Sequence, residues 1–351
     1  VALVVGSIIG TGVFIKTAGM TQSVGSPTIV LLVWCVAGAL SLTGALVYAE
    51  LSVRFPRAGG EYVFLREGFG KLPAFLYGWM RFWIGSPGSI AAYGVGCASF
   101  AAGIWPELSA GQRVGVAQST ILVFSLINCF AVKFGGAVQS FLTWLKILLV
   151  AGLAIGLIGF SDSSSVAGAL SPVDSNFEFG FSGFATAMIA ALWAFDGWNN
   201  MPMAAGEIRD PARSIPRALI IGSLICLVIY VAVNFAYFVA LPIEEILTSN
   251  SSQFPEALPV ATKAAQRVFG ETSSMFMSIA FVISALGAMN GSILTGARVP
   301  YAMARDGLFF PSLGKLGDRS HVPVVAVVIQ GLWAAVLAGS GSFDQLTNYV
   351  V

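Results

Sequence analysis

The sequence predicts an all-helical, polytopic membrane protein whose spans divide into two inverted halves of five. Three observations carry that prediction: an apolar excess, an alternation of basic with acidic loops, and paired helix breakers in the first and sixth spans. Of 351 residues, 56% are hydrophobic and only 10% charged, against roughly 25% charged in a soluble domain. Mean hydropathy is +0.83. This balance excludes a water-soluble globule, a disordered chain and a secreted disulfide scaffold. A net charge of +1 leaves no basic surface to neutralise a phosphate backbone, so no nucleic-acid partner is expected.

A crossing takes about 20 apolar residues, and the apolar windows place about ten spans: 1–22, 27–53, 73–104, 114–132, 138–160, 181–205, 215–241, 273–304, 322–340 and 344–351. The first five make a repeat over 1–160 and the rest a second over 161–351. Both ends of the sequence fall inside apolar runs, so a longer parent chain is expected. Every second loop is basic, with Arg54, Arg57, Arg66, Lys71, Lys133, Arg209, Arg213, Arg217, Arg298, Arg305, Lys315 and Arg319. The alternate loops hold Arg113, Lys263 and Arg267 among Asp162, Asp174, Glu178, Glu244, Glu245, Glu256 and Glu271. Basic loops stay on the cytoplasmic side, so the segments 54–71, 209–217 and 305–319 face inward and the N-terminus is cytoplasmic.

The first span contains Gly6-Ser7-Ile8-Ile9-Gly10-Thr11-Gly12, and the sixth contains Trp193-Ala194-Phe195-Asp196-Gly197-Trp198-Asn199-Asn200 before Pro202. Each glycine costs about 1 kcal/mol in a helix interior and leaves the backbone unshielded, so both spans are expected to unwind there. Unwound backbone at membrane depth is tolerated where it lines a cavity or is buried in protein. Breaks at matching places in two halves therefore point to a site at the bilayer midplane, an arrangement used by many secondary transporters. Because five spans per half is odd, the halves are inverted.

Ionisable side chains within spans are costly, at least about 2.5–3.5 kcal/mol on insertion scales. Lys146 has no acidic neighbour within a helical turn; carbonyls freed by the breaks are its natural partners, and snorkelling to the cytoplasmic surface is the alternative. Asp196 sits in the second break, where it can attract an ammonium group or cap the following half-helix. Glu50 and Glu207 lie near Arg54 and Arg209 and read as structural ion pairs or gate latches. Arg81 and Lys16 receive no role. Cys35, Cys97, Cys129 and Cys226 are dispersed in apolar runs and read as packing thiols, and His321 stands alone in a basic loop. Neither a metal set nor a nucleophile–base pair nor a phosphate loop is present, so no enzyme, cofactor or metal is expected.

Gly6-Ser-Ile-Ile-Gly-Thr-Gly-Val-Phe14, Tyr48-Ala-Glu-Leu51, Gly59-Gly-Glu-Tyr62 and Leu192-Trp-Ala-Phe-Asp-Gly-Trp-Asn199 resemble the L-type amino acid transporter branch of the amino acid–polyamine–organocation superfamily. Glu207 with Asp210-Pro211, Ile215-Pro216-Arg217, and Asn290-Gly-Ser292 with Ala304-Arg-Asp-Gly307 extend the resemblance along the chain. It implies a LeuT-like fold with broken helices 1 and 6, in a family of twelve spans. It also implies that a substrate carboxylate meets the N–H groups of Gly10, Thr11 and Gly12, at the N-terminus of the outer half-helix. The amino group would meet carbonyls of Ile8, Trp193 and Asp196. Ile9, Ala194, Phe195 and Asn199 complete the binding stretches. Trp193 corresponds to an aromatic gate, and Lys146 to a lysine standing in for sodium. Asn200, Ser284 and Asn290 are candidates for the side-chain pocket.

Two departures bear on function. Gly103–Gly115 lacks the cysteine that joins animal members to a single-span glycoprotein, so a stand-alone, prokaryote-like protein without a disulfide-linked heavy chain is expected. Asp196 stands where many carriers of large neutral amino acids have glycine, which opens the pocket to cationic substrates. The implied activity is sodium-independent exchange of L-amino acids across the plasma membrane. A proton-coupled amino acid or polyamine carrier and a transport-silent sensor remain the alternatives.

Overall fold

The computed structural model describes residues 1–105, 107–130, 132–161, 169–170, 180–254 and 256–340, and these are helical with short connections. Among the described residues, five unbroken helices are long and apolar enough to cross a membrane: Pro27–Arg54, Ala110–Phe130, Lys133–Phe160, Pro211–Ala240 and Ser273–Arg305. A sixth crossing is the pair α1 (Ala2–Ile8) and α2 (Gly12–Val24), bent by 44° at its break. The expected third span is α3 (Lys71–Met80) and α4 (Ser86–Ala101), joined by a wide turn at Arg81–Gly85. Pro87 explains that turn: it has no N–H for the Trp83 carbonyl four residues back, and Trp333 Nε1 donates to that oxygen instead, at 2.8 Å.

The expected sixth span divides as the glycines predict. A helix over Phe181–Phe195 ends at Asp196 and Gly197, and a tighter 3₁₀ stretch, Trp198–Glu207, continues past Pro202. The ninth expected span is the helix Val324–Ala338. The tenth, 344–351, lies outside the described residues, as do Asp162, Asp174 and Glu178.

Helix Pro27–Arg54 packs along Pro211–Ala240, and Ser273–Gly296 packs along α4. Small residues permit these approaches: a Cβ on Gly38 would sit 2.5 Å from Leu227 Cδ1, and one on Gly44 would sit 2.8 Å from Trp198. α1 packs against Val132–Phe160, Pro211–Ala240 and Ser273–Gly296 together. The first break is thereby fully enclosed, with Ile8, Ile9 and Thr11 at most 2% exposed.

Most of the loops predicted to share a side come together. Arg66 pairs with Asp306 at 2.5 Å, Tyr62 donates to Asp306 at 3.0 Å, and Gly59 N–H donates to Met203 O at 2.9 Å. The alternate loops meet elsewhere: Gln22 donates to Leu247 O at 2.5 Å and Arg267 to Glu245 at 2.7 Å. Glu50 pairs with Arg54 at 2.8 Å as expected. Glu207 does not turn to Arg209; both its oxygens accept from Arg298, Nε at 2.9 Å and Nη2 at 3.0 Å. The planar guanidinium fork explains that choice, since Arg298 is 1% exposed and a bidentate carboxylate satisfies two of its donors.

Candidate functional site

Between the two breaks lies a cavity of about 400 Å³, within the range of small-molecule sites. Ile8, Gly10, Thr11 and Gly12 form one wall; Trp193, Ala194, Asp196 and Asn199 form the opposite one; Arg81, Ser89 and Tyr93 come from the third span. The local backbone follows from sequence. Thr11 precedes Gly12, the first residue of α2, whose opening N–H groups have no intrahelical acceptor. A Cβ on Gly12 would stand 3.0 Å from Ala194 Cβ and 3.1 Å from the Trp193 ring. Glycine there lets the two broken spans close on each other.

Lys146 crosses from the fifth span beneath the first break. Its Nζ donates to Gly6 O at 2.7 Å and Ile9 O at 2.6 Å, and the side chain is 1% exposed. Snorkelling is therefore not its solution. Ser284 completes the arrangement by donating to Gly10 O at 2.9 Å and Ile9 O at 3.2 Å. Carbonyls that a continuous helix would have used are thus held by an ammonium and a hydroxyl from two other spans.

Sequence reasoning passes over Tyr230, which ties the breaks together. Its hydroxyl lies 2.8 Å from Ile8 O and 3.0 Å from Ala194 O, sharing one hydrogen between carbonyls of the first and sixth spans. A tyrosine in the middle of an apolar run, Cys226–Val233, is the only sequence signal, since the partner carbonyls are distant in the chain. Tyr230 also packs against Phe195 and Trp34, with ring centroids 4.9 and 5.3 Å away.

Several expected residues sit off the cavity. Ile9 is buried and offers only its carbonyl, to Lys146 and Ser284. Phe195 is buried against Trp34 and Tyr230. Asn290 accepts from Asn128 at 2.8 Å and donates to Gln139 at 2.8 Å, bracing three helices. Asn200 accepts from Arg81 at 2.8 Å, so Asn200, Ser284 and Asn290 serve packing networks rather than the cavity wall. Thr11 Oγ1 and Asn199 Oδ1 are buried without partners on residues that line it.

Beyond Trp193 lies a second cavity of about 470 Å³, sharing Gly12 and Trp193 with the first and lined further by Lys16, Phe100, Thr262 and Phe281. Lys16 Nζ sits 4.5 Å from the Trp193 ring centroid, a cation–π contact. Trp193 is thus the partition between two spaces.

A crystal structure of MhsT in complex with L-phenylalanine superposes with a TM-score of 0.61, at 14% identity, covering 99% of this chain and 79% of that one; the shared architecture is the LeuT fold. The b(0,+)-type amino acid transporter 1 of Oryctolagus cuniculus is 31% identical over 99% of this chain and 70% of its own length. The cystine/glutamate transporter of Homo sapiens is 31% identical, with 100% and 68% covered. The serine/threonine exchanger SteT of Bacillus subtilis is 31% identical, with 99% and 76% covered. The family model for amino acid permeases matches residues 1–350, an extent that takes in both broken spans and the helices that brace them. The chain belongs to the amino acid permease family, within the amino acid–polyamine–organocation superfamily.

Proposed function

We propose that this protein is a sodium-independent exchanger of L-amino acids, working by alternating access in the plasma membrane with its N-terminus cytoplasmic and no disulfide-linked heavy chain. The observation that carries the reading is the Lys146 ammonium on the carbonyls of Gly6 and Ile9. A fixed cation occupies the carbonyl cage at the break, so the site has its positive charge without recruiting an ion. The names of the relatives support exchange: SteT is a serine/threonine exchanger.

In this reading the substrate carboxylate lies at the N-terminus of α2, on the N–H groups of Gly10, Thr11 and Gly12, where orphan donors and the helix dipole favour an anion. The amino group faces the carbonyls of Ile8, Trp193 and Asp196. Ile8 O already accepts from Tyr230, and Trp193 O from Asp196 N–H at 3.1 Å, but a carbonyl oxygen has a second lone pair for an ammonium. Trp193 closes over the bound zwitterion. Neutral side chains are the first substrate class and cationic ones, through Asp196, the second.

The test is uptake of labelled L-serine into proteoliposomes in sodium-free buffer, with and without internal L-serine. Uptake that requires internal amino acid, with no sodium or pH gradient, is the expected result. Lys146→Ala should lower it at least about tenfold, the loss of roughly 1.4 kcal/mol in an interaction, while the protein still inserts. Acid-driven uptake into empty vesicles would replace the exchanger with a proton-coupled carrier, and binding without flux would replace it with a sensor.

A further inference from the structure

Arg81 is the one charged group on the cavity wall that the proposed exchange does not use. It opens the wide turn at Arg81–Gly85, a geometry frequent at functional sites. Among the described residues, Arg81 and Asp196 are the only ionisable side chains of opposite charge lining the cavity. Arg81 is anchored rather than neutralised: Nη2 donates to Asn200 Oδ1 at 2.8 Å, while Nε is buried without a partner. It forms no direct ion pair with Asp196, but the two side chains line the same cavity. The other acid beside Arg81, Glu61, sits off the cavity and is 7% exposed.

We infer that Arg81 sets side-chain selectivity by acting as the counter-charge to Asp196 inside the cavity, so that neutral side chains are favoured over those bringing a second positive charge. The inference rests on the exchanger reading and deepens it. The formal charges on the cavity wall cancel. A zwitterion with a neutral side chain keeps that balance, whereas a lysine or arginine side chain adds an uncompensated charge to a space of low dielectric. With Arg81 gone, the Asp196 carboxylate would be unopposed and would attract such a side chain. The anchoring bond to Asn200 matters because it holds the guanidinium on the wall when the cavity is empty. A purely structural Arg81 would lower transport of every substrate alike, so the ratio between substrates is the diagnostic quantity.

The experiment measures sodium-free exchange of L-serine, L-arginine and L-glutamate in proteoliposomes of wild type, Arg81→Gln, Arg81→Lys and Asp196→Asn. Arg81→Gln should raise the arginine-to-serine ratio at least about tenfold, equivalent to 1.4 kcal/mol of discrimination, and Arg81→Lys should keep the wild-type ratio. Asp196→Asn, which leaves Arg81 unopposed, should raise the glutamate-to-serine ratio, and it decides the matter if Arg81→Gln fails to insert. Wild type that exchanges none of the three overturns the exchanger reading and this inference together. Wild type that exchanges serine, with ratios unchanged in the variants, overturns this inference alone.

Discussion

At Gly197 the missing side chain meets two demands. Its φ of +117° is a conformation other residues rarely adopt, and a Cβ there would sit 2.8 Å from the Ser7 backbone, where the first span passes. At Gly10, in the other break, the nearest atom to an added Cβ is 3.8 Å away. The two glycines look equivalent in sequence, but only one is sterically required. Gly197→Ala is expected to cost about 1–3 kcal/mol in backbone strain plus the clash, lowering the melting temperature in detergent and the exchange rate together. Gly10→Ala should melt within a degree or two of wild type. Equal melting of the two variants would show that the spans do not meet at Gly197 as described. Residues were unevenly legible for the same reason. Lys146 stood out because a lone cation in an apolar run demands partners, and the glycine motif beside it offered carbonyls. Arg81 and Tyr230 carried no such motif, and their roles depend on neighbours more than a hundred residues away, Asn200 for the first and Ile8 for the second.

Among the elements, the Glu207–Arg298 pair joins charges that loop counting could not match. Sequence proximity suggested Arg209 for Glu207, yet the 3₁₀ stretch Trp198–Glu207 delivers Glu207 to Arg298 at the end of the eighth span. Arg298 is 1% exposed, so removing its partner leaves a buried charge. Glu207→Ala should therefore destabilise the protein by about 3–5 kcal/mol, whereas the paired replacement Glu207→Gln with Arg298→Met should recover most of that loss, because a buried ion pair is seldom worth more than the apolar residues that could replace it. Thermal unfolding in detergent reads the stability. Exchange reads the function, and the double variant should remain slow if the pair also holds the inward side shut. The helix pattern itself was legible, since span length and glycine content are local. What periodicity could not show was the wide turn at Arg81–Gly85, which arises where Pro87 withdraws a donor and a tryptophan from the ninth span replaces it.

For the whole molecule, the loops sort by contact as they sort by charge. Arg57, Glu207, Arg305, Asp306 and His321 surround one cavity of about 350 Å³, while Lys263, Arg267 and Glu245 cluster in another set of loops, with Lys263 Nζ donating to Thr248 O at 2.9 Å. The second cavity beyond Trp193 includes Asn250, Leu258 and Thr262 from that other set, so the partition at Trp193 stands between the first cavity and those loops. The positive-inside rule predicts that the first set faces the cytoplasm, and cysteine labelling tests it. Gln253 and Ser312 are both exposed and lie in the two opposed sets. In intact cells an impermeant maleimide should label Gln253→Cys, and Ser312→Cys only after permeabilisation, with the native thiols replaced. The reverse pattern would invert the protein and make the Trp193 partition face the cytoplasm. Substrate supplied outside should slow the labelling of a cysteine placed at Ser278, which lines the cavity beyond the tryptophan, because in the proposed cycle Trp193 closes over the substrate before release on the other side.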